Sequence, residues 1–192
     1  MPWRGETDVY KIWLSEVMLQ QTQVETVKPY YKRWLNKFPN TQSVADASED
    51  EVLKLWEGLG YYARVRNFKS ACEWIQKENK GEMPASSDAF RKLKGVGDYI
   101  HAAVRSIAFN EVVPVIDGNV KRVVARLIEL GSPPSKSLHI IKQFLTNVIC
   151  QKAPGDFNQA IMDLGSTICK PQSPRCSECN ISSFCKSYKK VL

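Results

Sequence analysis

No stretch of this 192-residue sequence approaches the roughly 20 consecutive apolar residues of a membrane span, and its first residues do not read as a secretory signal. Strand-type alternation is nearly absent. Only residues 112–116 look extended; Pro114 interrupts them, and they are too short to define a sheet. There is no fixed-period repeat and no low-complexity tract, which excludes solenoid and fibrous designs. Acidic residues are in deficit, 20 against 27 Lys and Arg, which gives a formal charge of +7 and a pI near 9.1. That balance leans toward a polyanionic partner without identifying one. With 43% hydrophobic and 24% charged residues the chain is globular, and its length suits one domain or two small lobes.

What is present is helical. Residues 8–22 carry apolar side chains on almost every side, the pattern of a buried helix. Ser48 and Glu51 have capping-box spacing ahead of a helix over 52–58. Further helices are expected at 66–77, in a short stretch before Gly95, and at 98–109, 119–130, 135–150 and 157–169, the last with Asp156 as its cap. The sequence therefore predicts an all-α fold of two helical lobes. One is a six-helix bundle over 8–108; the other combines 1–7 with 109–192. Pro133-Pro134 is the best junction signal.

Six cysteines are distributed unevenly. Cys72 and Cys150 are isolated, whereas Cys169, Cys176, Cys179 and Cys185 form a C-x6-C-x2-C-x5-C cluster. A disulfide framework would be spread through a small secreted chain, so the pattern indicates a reducing, intracellular setting and one local metal site. A four-Cys zinc site is the plain reading. The irregular spacing suits an iron–sulfur cube better than paired zinc knuckles.

Lys94-Gly95-Val96-Gly97-Asp98 lies between two expected helices. Glycines allow a tight hairpin, and the following helix offers free N–H groups to a phosphate. An ordinary helix–helix turn has the same pattern. Two carboxylates invite opposite protonation. Glu16 lies on the buried first helix, where burial favours the protonated acid; Asp117 precedes Gly118-Asn119 at a helix start, where the dipole favours the carboxylate. Such a pair suits glycosidic-bond cleavage, one group donating a proton and the other stabilising the cation. A satisfied buried Glu and a capping Asp are the bland alternatives. Gln20-Gln21-Thr22 and Gly58-Leu59-Gly60-Tyr61-Tyr62, followed by Arg64 and Arg66, combine amides, aromatics and cations as base stacking requires. A core tyrosine pair is the commoner explanation.

Pro2-Trp3-Arg4, Trp13-Leu14-Ser15-Glu16-Val17-Met18-Leu19-Gln20-Gln21-Thr22, Gly58-Leu59-Gly60-Tyr61-Tyr62-Ala63-Arg64, Asp117-Gly118-Asn119-Val120-Lys121-Arg122, the 157–165 segment and the four cysteines resemble, in order and almost end to end, the MutY family within the helix–hairpin–helix DNA glycosylases. The resemblance implies removal of adenine opposite 8-oxoguanine or guanine in double-stranded DNA, by a monomer associated with the bacterial nucleoid. It makes Glu16 the acid, Asp117 the stabiliser of the oxocarbenium ion, and Tyr99 and Asn119 their support. It gives Trp3, Arg4, Gln20, Gln21, Thr22, Tyr61, Gly95 and Gly97 to the base and the duplex, and Cys169, Cys176, Cys179 and Cys185 to a [4Fe–4S] cluster. Tyr99 stands where lyase relatives carry a Schiff-base lysine, which implies base release without strand cleavage. Lys92, Lys94, Lys121, Arg122, Lys170 and Arg175 are expected to flank the DNA. Glu16 and Asp117, far apart in sequence, are expected to meet in a cleft at a separation of roughly 5–6 Å. Thymine excision from G·T mismatches, or a non-catalytic damage binder, are the alternatives. Relatives usually add a domain that reads 8-oxoguanine, and the expectation here covers base release and not that reader.

Overall fold

The computed structural model describes residues 1–189, and the chain divides into two compact units between Ala108 and Phe109. All regular secondary structure among the described residues is helical.

The first unit is built on α1 (Val9–Leu19). Asp8 caps it, accepting from the amides of Tyr10 (2.9 Å) and Lys11. Tyr10, Ile12, Trp13, Leu14, Val17 and Met18 are all buried, so the helix is walled on nearly every side. It ends at Leu19, short of the expected residue 22, because Gln21 takes a left-handed backbone (φ 56°). Next come α2 (Val24–Lys37), α3 (Thr41–Asp46), α4 (Glu49–Trp56), α5 (Ala63–Glu78), α6 (Ser87–Arg91) and α7 (Asp98–Phe109). The Ser48–Glu51 capping box opens α4 as the sequence indicates. The core is aromatic. Trp34 meets Phe38 and Trp56 edge-on at 5.1 and 5.7 Å, and Phe68 lies 4.4 Å from Trp13. The buried indole of Trp34 donates to the Tyr10 hydroxyl (2.9 Å), which donates to the Phe38 carbonyl (2.7 Å), so these polar atoms are satisfied.

The second unit holds α8 (Gly118–Leu127), α9 (Leu138–Val148), α10 (Pro154–Thr167) and α11 (Lys186–Lys189), joined by short 3-10 turns at Pro134–Lys136, Cys176–Glu178 and Ser182–Phe184. Its buried side chains are smaller: Val120, Val123, Val124, Ile141, Leu145, Ile161 and Met162. α8 packs on α9, α10 and α11.

Four expectations need correction. Residues 1–7 group with the first unit, where Trp3 packs edge-on against Tyr31 at 5.4 Å. Pro133-Pro134 opens a 3-10 turn inside the second unit and is not a junction. Asp156 lies in the first turn of α10; Ala153 is the cap residue and Pro154 takes the first helical position, where its missing N–H costs nothing. Among the described residues seven helices, α1–α7, stand where a six-helix bundle was expected, and α2 and α3 occupy a stretch in which no helix was placed.

Candidate functional site

Glu16 is 2% exposed, in the middle of α1. Tyr99, from the first turn of α7, donates its hydroxyl to Glu16 Oε2 at 2.6 Å. These residues are 83 positions apart. The glycine hairpin brings them together: Gly95 has φ 84° and rests so close to Asn67 that a Cβ would lie 2.9 Å from the Asn67 Cβ. Val96 N–H donates to the Leu93 carbonyl (3.0 Å), Arg91 pairs with Asp98 across the turn, and α7 starts directly after Gly97, whose Cβ position is open. A buried carboxyl that accepts from a phenol at the start of a helix can hold a proton and pass it on.

Asp117 is the N-cap of α8. Its Oδ1 accepts from the Val120 amide (2.6 Å), and its Oδ2 from Asn119 Nδ2 (3.2 Å). Two further contacts hold this corner. Asn158, wholly buried on α10, donates to the Val113 carbonyl (2.9 Å) and accepts from the Val115 amide (3.0 Å), fixing the segment that leads to Asp117. Gly165 lets α10 touch Asn119, where a Cβ would come within 2.7 Å of the Asn119 Cβ. Arg122 bonds Asn119 Oδ1 (2.8 Å), the Gly165 carbonyl (2.7 Å) and the Cys169 carbonyl (2.8 Å). It is therefore an internal strut, contrary to the expectation of a DNA-facing cation. Arg175 bonds Glu178 (2.9 Å) and the Thr167 carbonyl (3.1 Å) at the surface and is exposed, as are Lys92, Lys94 and Lys170.

Gln20, Gln21 and Tyr61 border an open depression of about 590 Å³ together with Tyr62, Arg64 and Arg66. Thr22 closes the first loop, bonding the Gln20 carbonyl at 3.3 Å. Tyr61 is 61% exposed, which rejects the core-tyrosine alternative for it. Arg64 is half-buried, and desolvation holds its pKa below the usual arginine value against the raising influence of Tyr61. Its Nε and the Trp13 indole N–H have no protein partner. Both residues line a space of about 110 Å³ beside Gly95, large and polar enough for water. Trp3 is 2% exposed, and Arg4 follows it in the opening turn.

All four clustered thiols line one cavity of about 540 Å³ in the second unit, walled by Val123, Leu127, Leu164 and Ile168. Among the described residues, no three His, Cys, Asp or Glu side chains form a single-ion site. Thiols spread round an apolar-walled space fit a polynuclear cluster, and Arg126 donates to Cys169 Sγ at 3.4 Å, a contact of the kind that tunes cluster sulfur. Cys72, by contrast, is fully buried in the first unit, and burial pushes its thiol pKa up, which makes it inert.

Sequence reading missed Asn158, Gly165 and the clamping role of Arg64. The first two lie in the 157–165 segment, where a polar residue and a glycine on an otherwise apolar helix face were the available signal.

Residues 14–145 match the family model for HhH-GPD superfamily base excision DNA repair proteins, and residues 169–185 match the iron–sulfur binding domain of endonuclease III. Adenine DNA glycosylases of Mus musculus and Homo sapiens are each 43% identical over 100% of the chain, and one from Buchnera aphidicola subsp. Baizongia pistaciae is 37% identical over 98%. The chain spans 39%, 37% and 54% of those relatives' lengths. A solved thermostable thymine-DNA glycosylase superposes with TM-score 0.88 at 27% identity, covering 99% of this chain and 88% of that one. A trapped endonuclease III–DNA covalent intermediate gives 0.80 at 25% identity, covering 94% and 84%.

Proposed function

The chain belongs to the HhH-GPD superfamily of base excision DNA repair proteins, and we propose that within it this chain removes adenine mispaired with 8-oxoguanine or guanine in duplex DNA. The observation that carries the reading is the buried Glu16 carboxyl with the Tyr99 hydroxyl 2.6 Å away, inside the segment that matches the family. Identity of 37–43% to adenine DNA glycosylases supports adenine as the base.

In this reading Glu16 gives its proton to a ring nitrogen of the extruded adenine. The N-glycosidic bond breaks, its electron pair leaves with the base, and positive charge develops on the sugar. Asp117, kept as an acceptor by the Val120 amide and Asn119, stabilises that charge, and water completes hydrolysis. A phenol cannot form a Schiff base, so Tyr99 supports base release without strand cleavage. Gln21 and Tyr61 enter the stack while the base is flipped out, and Trp3 and Arg4 help hold it. When bound at Cys169, Cys176, Cys179 and Cys185, an iron–sulfur cluster supplies metal–thiolate bonds that fix the C-terminal loop and hold Lys170 beside the DNA. The protein acts as a monomer on the bacterial nucleoid; no described helix is long and apolar enough to cross a membrane.

The structural likeness to a thymine-DNA glycosylase supports a second reading, thymine release from G·T pairs. One assay decides. Duplexes carrying A·8-oxoguanine, A·G and G·T are incubated with the wild type and with Glu16→Gln, and free base and duplex affinity are measured. Adenine release by the wild type alone, with affinity kept in the variant, is expected. Release of thymine only favours the second reading, and wild-type rates in Glu16→Gln remove Glu16 from the chemistry.

A further inference from the structure

Two exposed side chains of the first unit stand on backbone that L-residues avoid. Gln21 has φ 56° and Tyr61 φ 47°, and neither is a glycine, asparagine or aspartate, the residues that reach this region most easily. Left-handed backbone at such residues persists only where the surroundings over-determine it. Here one side chain does so for both loops. Arg64 Nη1 donates to the carbonyls of Val17 (3.1 Å), Met18 (2.8 Å) and Gln20; its Nη2 donates to Thr22 Oγ1 and to the carbonyls of Leu59 and Gly60, each at 3.2 Å. The acceptors flank Gln21 on both sides and immediately precede Tyr61. The same guanidinium lies 5.5 Å from the Tyr61 ring centroid and 5.2 Å from that of Trp56. Trp56 in turn donates to the Gly60 carbonyl at 3.0 Å.

The carbonyls at the end of α1 have no partner within the helix, and a cation is their natural cap. Arg64 caps them from another helix, so the end of α1 and the 58–61 turn become one body. We propose that Arg64 is a positioning residue that locks Gln21 and Tyr61 into a single rigid wedge, and that the step it controls is extrusion of the target base. The inference rests on the base-excision reading above. Lysine cannot replace it: an ammonium is a compact charge with three donors, whereas the six acceptors here are spread over two loops and need a planar fork. The wedge must keep its shape while the duplex pushes back, so a loosened fork loses extrusion before it loses affinity for DNA, which the exposed cations supply.

The test uses the full chain with its cluster loaded and an A·8-oxoguanine duplex, with 2-aminopurine beside the target base as the extrusion probe. Arg64→Lys is compared with wild type, and again on a Gln21→Ala/Tyr61→Ala background. Arg64→Lys is expected to lower extrusion and single-turnover base release together by about 10²-fold, the size of effect that misplacement remote from the reacting atoms produces. On the background lacking both wedge side chains the same change should cost less than about threefold, because the two sites share one function. A full loss on that background, or loss of rate with normal extrusion, overturns the proposal. Should Arg64→Lys fail to fold, Thr22→Val removes one arm of the fork; reduced extrusion supports the proposal and wild-type extrusion overturns it. Wild-type protein that extrudes the base in an Arg64-dependent way but releases none defeats the glycosylase reading and leaves the wedge standing.

Discussion

Glu16 is carried by a helix walled in aromatic and aliphatic side chains, whereas Asp117 stands at the head of a helix held by polar struts. Around Glu16 the first unit supplies Trp13, Leu14, Val17 and Met18 from α1 itself, with Phe68 and Phe90 against Trp13. Around Asp117 the second unit supplies Asn158, Asn119 and Arg122, and beyond them a cavity lined by four thiols. The difference is between packing and pinning. A packed acid keeps its place through many small contacts, so single changes are partly absorbed. A pinned one depends on a few directional bonds, each of which leaves an unsatisfied group when cut.

The largest effect expected from this contrast is at the thiols. Cys179→Ser, or removal of iron, takes away the bonds that fix the 169–185 loop, whose first carbonyl holds Arg122. Hydrogen exchange should then show α8 and α10 losing protection while α1 and α5 keep theirs. Equal loss in both units would break the contrast, because it would mean that the first unit also depends on the loop.

The same contrast explains what could be read from the sequence. Packing leaves periodic marks, and α1, α5, α7 and α8 were legible from apolar spacing and from caps such as Ser48–Glu51. α2 was hidden by Pro29 inside it, although Val27, Tyr31 and Trp34 at helical spacing form its buried face. α3 has only six residues, too few for periodicity, and its Asn40–Ser43 capping box was the sole available mark. Pinning leaves almost no local signal. Glu16, Tyr99 and Asp117 are candidates that motifs single out, but nothing in the spacing says that Arg122 turns inward or that Arg64 reaches the carbonyls of α1. Those bonds span between 43 and 47 positions. Only folding reveals them.

A mid-sized effect belongs to Asn158→Ala. The substitution leaves the buried Val115 amide and the Val113 carbonyl without their partner, at about 1–3 kcal/mol for each buried group left unsatisfied. It also frees the segment two residues before Asp117. Urea unfolding should show the loss of stability, and base release should fall by more than the lost stability accounts for. A stability loss with an unchanged rate in the folded fraction would show that Asp117 is held by its own cap and not by the segment before it.

The smallest effect sharpens the packed side. Ser48→Ala removes the hydroxyl that accepts from the Glu51 amide at 3.2 Å, and an N-cap loss of this kind costs about 1 kcal/mol. Because Val52 and Trp56 still anchor α4 in the core, the cost should stay at that figure, and base release should not change. Its pH dependence has a definite sign. The Glu51 carboxyl is held below its ordinary value of 4.5, first by the Ser48 backbone N–H, then by the Ser48 hydroxyl and by Lys37. A carboxylate whose pKa is lower folded than unfolded contributes stability above the unfolded value, and loses it as pH falls through the folded one. Thermal unfolding of the wild type should therefore lose this contribution only in acid. Ser48→Ala should show a shallower acid slope, since the backbone N–H remains, and Glu51→Gln none from this group. A loss well beyond the cap figure at neutral pH would mean that α4 is pinned as the Asp117 corner is, and that the first unit does not absorb single changes by packing.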